Sequence, residues 1–161
     1  MSEKALQHLR DLAAGRYSEF DGLPRGLTRP AVAEALGPAF AGPQSDQPAA
    51  DDARTAWYGP TDGAPIGLTV TFYDDLATKV EVVAPQPARP IEEQLGPADS
   101  VVESLLGTTR DQWIWPGRGL TAHVNRISGD VDYLYAYRSM SLDEYLESSL
   151  ARMSSTRIPR S

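Results

Sequence analysis

The chain has 161 residues, no cysteine, and 22 acidic against 15 basic side chains, for a net charge of −7. These numbers exclude disulfides, thiolate metal sites, a cysteine nucleophile and a lipidated cysteine. They also set an acidic surface against any phosphate backbone, so nucleic acid is not an expected partner.

A chain of this length buries roughly 70% of its unfolded surface and needs no covalent staple. Its first dozen residues are charged throughout and lack the apolar stretch of a secretory signal. No apolar run approaches the ~20 residues of a membrane helix. A cytoplasmic protein with no membrane partner is the expectation.

Residues 3–14 place Ala5, Leu6, Leu9, Leu12 and Ala13 on one helical stripe, with His8 on the solvated side. Gly15 stops that helix, and 16–26 is rich in turn residues. Thr28 caps a second helix, Pro30 sits harmlessly in its first turn, and Gly37-Pro38 ends it. Residues 42–53, low in apolar bulk and rich in Pro, Asp and Ala, read as an exposed loop.

Strands are expected at 54–59, 67–73 and 79–83, with Asp74-Asp75 as a hairpin turn. Leu68, Val70, Phe72, Val80 and Val82 share the face to be buried. Residues 84–90 form a proline-rich connector, 91–95 a helical turn, and 99–106 a helix ended by Gly107. Further strands follow at 111–115, 119–125 and 131–137, with turns at Pro116-Gly117 and Ser128-Gly129-Asp130. Ser141 and Glu144 have the spacing of a capping box, which opens a last helix to about residue 153. Residues 154–161 read as a frayed tail.

The two halves look alike. Residues 31–37 match 101–107 in period and end in the same Leu-Gly. Trp57-Tyr58-Gly59 corresponds to the aromatic run Trp113 to Gly117, and Gly67-Leu68-Thr69 to Gly119-Leu120-Thr121. A repeat of ~70 residues is too long for a solenoid unit, so a tandem pair is expected, against the plainer reading of one domain with two ordinary hairpins.

This order of helix, Leu-Gly, aromatic strand and polar hairpin resembles the repeat of the secreted β-lactamase inhibitor proteins and of small outer-membrane lipoproteins of the SmpA/OmlA type. The resemblance covers about 28–83 and 98–137. It implies helices on one side of a sheet and an open face that grips another protein. The chain lacks the signal peptide and disulfides of the first family and the lipid-bearing cysteine of the second, so only architecture and a binding tendency are implied.

The expected fold is therefore α+β: one compact domain, 1–161, made of two related units. Helices pack on one face of an antiparallel sheet, with an N-terminal helix at 3–14 and a C-terminal helix at 141–153.

No catalytic set stands out. There is no HExxH, CxxC or His cluster, no phosphate loop around Gly117-Arg118-Gly119, and no nucleophile elbow. Asp51-Asp52 and Asp74-Asp75 lie where turns favour Asp. No cofactor, metal or catalytic residue is assigned. What remains is aromatic placement. If Leu134 and Ala136 point to the helices, then Tyr133, Tyr135 and Tyr137 line an open face with Thr121, His123, Asn125 and Arg118, and Tyr73 belongs to the corresponding face of the first half. Tyrosines suit binding surfaces, since each adds rigid area and a polar tip. The opposite reading buries them; His123 also reads as a plain surface histidine, and the three tryptophans as core or sheet-edge residues.

The functional expectation is a non-catalytic protein-binding module, such as an inhibitor or immunity protein for a partner with a basic surface. One alternative is a small-ligand site or enzyme cleft around His123 and the strand tyrosines. Another is a structural homodimer.

Overall fold

A computed structural model describes residues 3–49, 52–63, 66–83, 86–103 and 109–151. Helix α1 (Glu3–Ala14) is followed by α2 (Arg29–Leu36) and strands β1 (Phe40–Pro48), β2 (Arg54–Pro60), β3 (Gly67–Tyr73) and β4 (Leu76–Val83). Next come the two-residue β5 (Gln86–Pro87), α3 (Ala88–Leu95), β6 (Ser100–Glu103), β7 (Arg110–Trp115), β8 (Leu120–Asn125), β9 (Asp130–Ala136) and α4 (Leu142–Glu147). The fold is α+β, with one antiparallel sheet in the order β1-β2-β3-β4-β9-β8-β7-β6 and β5 alongside β9. Among the described residues, no helix is long and apolar enough to cross a membrane.

The local signals act as their chemistry dictates. Leu6, Leu9 and Leu12 bury the stripe of α1, and Gly15 takes a positive φ of 77° just past its end. The Thr28 hydroxyl accepts from the Ala31 amide at 3.2 Å and so caps α2. In α4, Ser141 and Glu144 satisfy each other's backbone amides, which fixes the start of a helix of only six residues. The Glu144 hydrogen bonds to Ser141 hold its carboxyl below the ordinary range.

One main core lies between the sheet and α1, α2 and α3. It takes Leu68, Val70, Phe72, Val80 and Val82 from the first half of the sheet and Leu120, Ala122, Val124, Leu134 and Ala136 from the second. Trp115 joins it, and its indole N–H donates to the Gly96 carbonyl at 3.0 Å. His8 is buried rather than solvated: its ring tilts against Phe20 at 5.6 Å, and Nδ1 is 3.3 Å from Asp21.

Two segments read as loop and helix are strands. Residues 40–48, which overlap the expected loop at 42–53, form the edge strand β1. Most of its side chains are exposed, so no alternation marks it. The pairs Arg54–Asp46 (2.9 Å) and Arg29–Asp46 (3.1 Å) tie it down. Residues 100–103, within the helix expected at 99–106, form the opposite edge β6. Residue 99 is a bend, and 104–107 of that expectation lie outside the described residues, as do 154–161.

The repeat is consequently re-registered. The segment equivalent to α2 is α3, not 101–107: both helices have eight residues, both follow extended caps, and both end Leu-Gly-Pro-Ala. Gly37 and Gly96 close them with matching backbone, at φ 62° and 82°. The strands keep the expected match. Leu68 and Leu120 hold equivalent places, opposite Val82 and Ala136. Both central hairpins carry an irregularity at the same point, between Thr71 and Phe72 and between His123 and Val124. The halves meet at β4 and β9, where Glu81 faces Tyr135 between the pairs Val80–Ala136 and Val82–Leu134. An approximate two-fold relates the two hairpins through that central pair.

Candidate functional site

The alternation that sends Leu68 and Leu120 to the helices sends their neighbours to the other face. One row of paired residues crosses the whole sheet there: Ser45, Trp57, Thr69, Glu81, Tyr135, Thr121, Ile114 and Ser100. Tyr133 and Tyr135 lie on this face with His123, as expected. The face is not open along its length, however. Over the second half a separate cluster forms from Ile114, Tyr135, Tyr137, Tyr145 and Ala151, with Tyr133, Met140, Leu142 and Leu150 packed on it. Helix α4 and the residues after it form the cover.

The structure therefore corrects the open-face reading for Thr121, His123, Tyr135 and Tyr137, which are all buried. Tyr137 donates to the Leu120 carbonyl at 3.1 Å, shares a 2.8 Å hydrogen bond with Thr121, and packs 5.3 Å from the Tyr145 ring. Burial raises its pKa strongly, so it stays a neutral donor. Tyr145 gives its hydroxyl proton to Gln112 at 2.8 Å. These contacts satisfy the polar tips of Tyr137 and Tyr145 in a second core, which aromatic residues with such tips suit as well as an interface does.

His123 sits between Tyr135, at 5.0 Å, and Tyr133, at 6.4 Å, both edge-on. Burial, reinforced by Arg110 and Lys79, pushes its pKa down to about 4, so the ring is neutral at pH 7. Two surface grooves lie elsewhere and do not reach it. One, of about 510 Å³, lies between the ends of α1 and α2 beside Arg10 and Phe40. The other, of about 450 Å³, lies beside Trp113, Asp111 and Arg126. The alternative of a cleft around His123 and the tyrosines meets buried side chains there: His123, Tyr135 and Tyr137 are all buried.

Two further expected site residues hold backbone instead. Asn125 accepts from the amides of Ile127 (2.8 Å) and Ser128 (3.1 Å) and so shapes its own turn. Arg118 points across the molecule and donates to the carbonyls of Phe20 (2.8 Å), Tyr17 (3.1 Å) and Ser18. It staples the irregular segment after α1 to the turn before β8. Arg118→Met keeps the stem and removes the donors. It is expected to lower stability by about 2–3 kcal/mol, read as a shift in the urea midpoint; an unchanged midpoint would remove Arg118 from the supports of the fold.

Among the described residues, α4 covers the second half of the face and not the first, whose side chains are partly exposed. The hairpin equivalence shows why the halves differ. Where the second half has His123, Tyr133 and Tyr135, the first has Thr71, Lys79 and Glu81. Tyr73, the one expected site residue that is well exposed, stands at the hairpin tip at 47%. Trp57 is half-buried. Its ring lies across Gly67, where a side chain would overlap it, so the indole is pinned from below. Lys79 places its ammonium 4.7 Å over the Tyr135 ring. Burial lowers its pKa against the pull of Glu81, and burial raises the pKa of Glu81 against the pull of Lys79.

Trp57, Thr69, Thr71, Lys79 and Glu81 were not among the expected site residues. Alternation alone places Thr69 and Thr71 beside Tyr73, and that was the available signal. Among the described residues, no group of three or more His, Asp or Glu side chains is gathered as a metal site.

No protein-family model matches the sequence, and no curated protein does. Among solved structures, the chain is similar to a DUF4309 family protein (YjgB) from Bacillus subtilis subsp. subtilis str. 168. The two are 16% identical with a TM-score of 0.49, and the match covers 84% of this chain and 96% of that one.

Proposed function

We propose that the protein is a non-catalytic protein-binding module, of the inhibitor or immunity type, and that its contact surface is the half of the sheet face that α4 does not cover. The observation that carries this reading is the pinned Trp57 beside Thr69, Thr71, Glu81 and exposed Tyr73, on the half of the face that α4 leaves bare. A rigid indole loses little freedom on binding, and aromatic anchors ringed by polar side chains are the usual high-energy positions of interfaces. The tandem-repeat resemblance points the same way. The partner proposed is a protein with a basic surface, since a net charge of −7 would speed its encounter.

Affinity capture from the native lysate supplies the partner, and titration calorimetry with that purified partner supplies the test. Trp57→Ala/Tyr73→Ala, checked for folding by circular dichroism, is expected to weaken binding by about 100-fold. Raising salt should slow association. An affinity equal to that of the wild type would overturn the proposed face.

A further inference from the structure

We propose that the segment from Met140 to Ala151 is a strap over the second core that opens when His123 takes up a proton, leaving the sheet and the main core in place. The proposal is independent of the binding face above. Its first support is the separation of the two cores. The main core takes its helices from α1, α2 and α3; the second lies across the sheet and, among the described residues, is closed by Tyr145, Ala151 and their neighbours. Opening that cover takes no strand out of the sheet.

The second support is where His123 sits. It is fully buried on β8, its ring against Tyr133 and Tyr135, opposite Gln112 on β7. Gln112 in turn accepts the Tyr145 hydroxyl of the strap. The sheet brings Arg110 on β7, Lys79 on β4 and Asp132 on β9 toward the ring, and Arg110 is already paired to Asp132; Glu81 on β4 interacts with Lys79. Among the described residues, the hydroxyls of Tyr133, Tyr135 and Tyr145 are the other titratable groups around the ring, while Asp143, Glu144 and Glu147 lie exposed on α4. A cation on His123 would meet two positive charges and one carboxylate that is already engaged.

The sign follows from linkage. The closed form holds His123 neutral down to about pH 4, whereas an exposed histidine protonates near 6.5. Between those values the open form binds a proton that the closed form refuses, so acid favours opening. From pH 7 to pH 5 this amounts to about a 20-fold shift toward the open form.

Amide hydrogen exchange, expressed as protection factors, tests it in the full chain. The Tyr145 amide, bonded to the Ser141 carbonyl at 3.0 Å, is expected to lose about 20-fold in protection from pH 7 to pH 5. The amides of Val70 and Val80 should keep theirs, and His123→Gln should abolish the loss. Protection at Tyr145 that does not change, that falls in step with Val70 and Val80, or that still falls in a folded His123→Gln would each overturn the strap. If His123→Gln does not fold, an NMR titration of the wild-type His123 ring decides. Its midpoint must coincide with the Tyr145 loss, and a ring that titrates elsewhere refutes the coupling.

Discussion

Gly119→Ala is expected to destabilise the protein by about 2–4 kcal/mol, far more than alanine at most other turn glycines. Two costs add at this position. Gly119 has a φ of 66°, in the left-handed region where a Cβ costs about 1 kcal/mol. The added methyl would also overlap the Tyr137 carbonyl oxygen and lie 2.9 Å from the Gly22 Cα. That oxygen cannot retreat freely, because it accepts the Leu23 amide at 2.9 Å. The obstacle is backbone on both sides, so no rotamer relieves it. Gly129 is the internal control. Its φ of 77° is similar, yet nothing lies within 4 Å of a Cβ there, so Gly129→Ala should cost only the conformational term, about 1 kcal/mol. Urea unfolding of both variants checks the contrast. Equal losses would mean that the junction of Gly22, Gly119 and Tyr137 yields to the methyl.

Phe72→Ala is expected to cost about 3–5 kcal/mol, the range for removing a buried aromatic ring from a core. Phe72 is 1% exposed among the side chains beneath α2. It also carries Arg29, whose guanidinium lies 4.3 Å from the ring centroid. Arg29 in turn pairs with Asp46 on β1 and Asp75 in the hairpin, each at 3.1 Å. Removing the ring therefore opens a cavity and takes the platform from the residue that ties down the edge strand. Phe72→Leu separates the two effects. It keeps most of the apolar volume, so the cavity term shrinks, while the cation–π contribution of about 0.5–1 kcal/mol is still lost. A double-mutant cycle of Phe72→Leu with Arg29→Met reads that contribution directly; a coupling of zero would leave Phe72 as core alone.

Most elements were legible because each carries a local signal. The α1 stripe, the Thr28 and Ser141 caps and the alternation in β3 and β8 each fix a short segment without reference to the rest of the chain. What the sequence hid depends on neighbours. Strand β1 lies at an edge and is mostly exposed, so the one-sided burial that produces alternation is missing. In β6, Val101 and Val102 fit a helix period as well as a strand, and only pairing with β7 decides between them. The Leu-Gly at 106–107 competed with the one at 95–96 for the match to α2, and the shared Pro-Ala after Leu36-Gly37 and Leu95-Gly96 favours the latter.

The tyrosine face shows the same limit. The alternation in β9 correctly set Tyr133 and Tyr135 opposite Leu134, but alternation names a face and not its cover. The apolar side chains of the last helix had to be buried somewhere. They lie on a stretch of the opposite face rich in rings, and the Thr, Lys and Glu of the first hairpin mark the half that α4 does not cover.

The order of strands has a consequence for synthesis. Strands β1 to β4 are consecutive in the chain and pair only with one another until β9 arrives, and the partners of Val80, Glu81 and Val82 on β9 lie more than fifty residues further on. A nascent chain on the ribosome thus completes its first meander, with α1 and α2 available to cover it, while β4 waits with an unpaired edge. That edge is the template on which β9 must close the sheet, and until then it can recruit the same edge of another nascent chain. The delay before the last third of the chain emerges is the interval over which that edge stays unpaired.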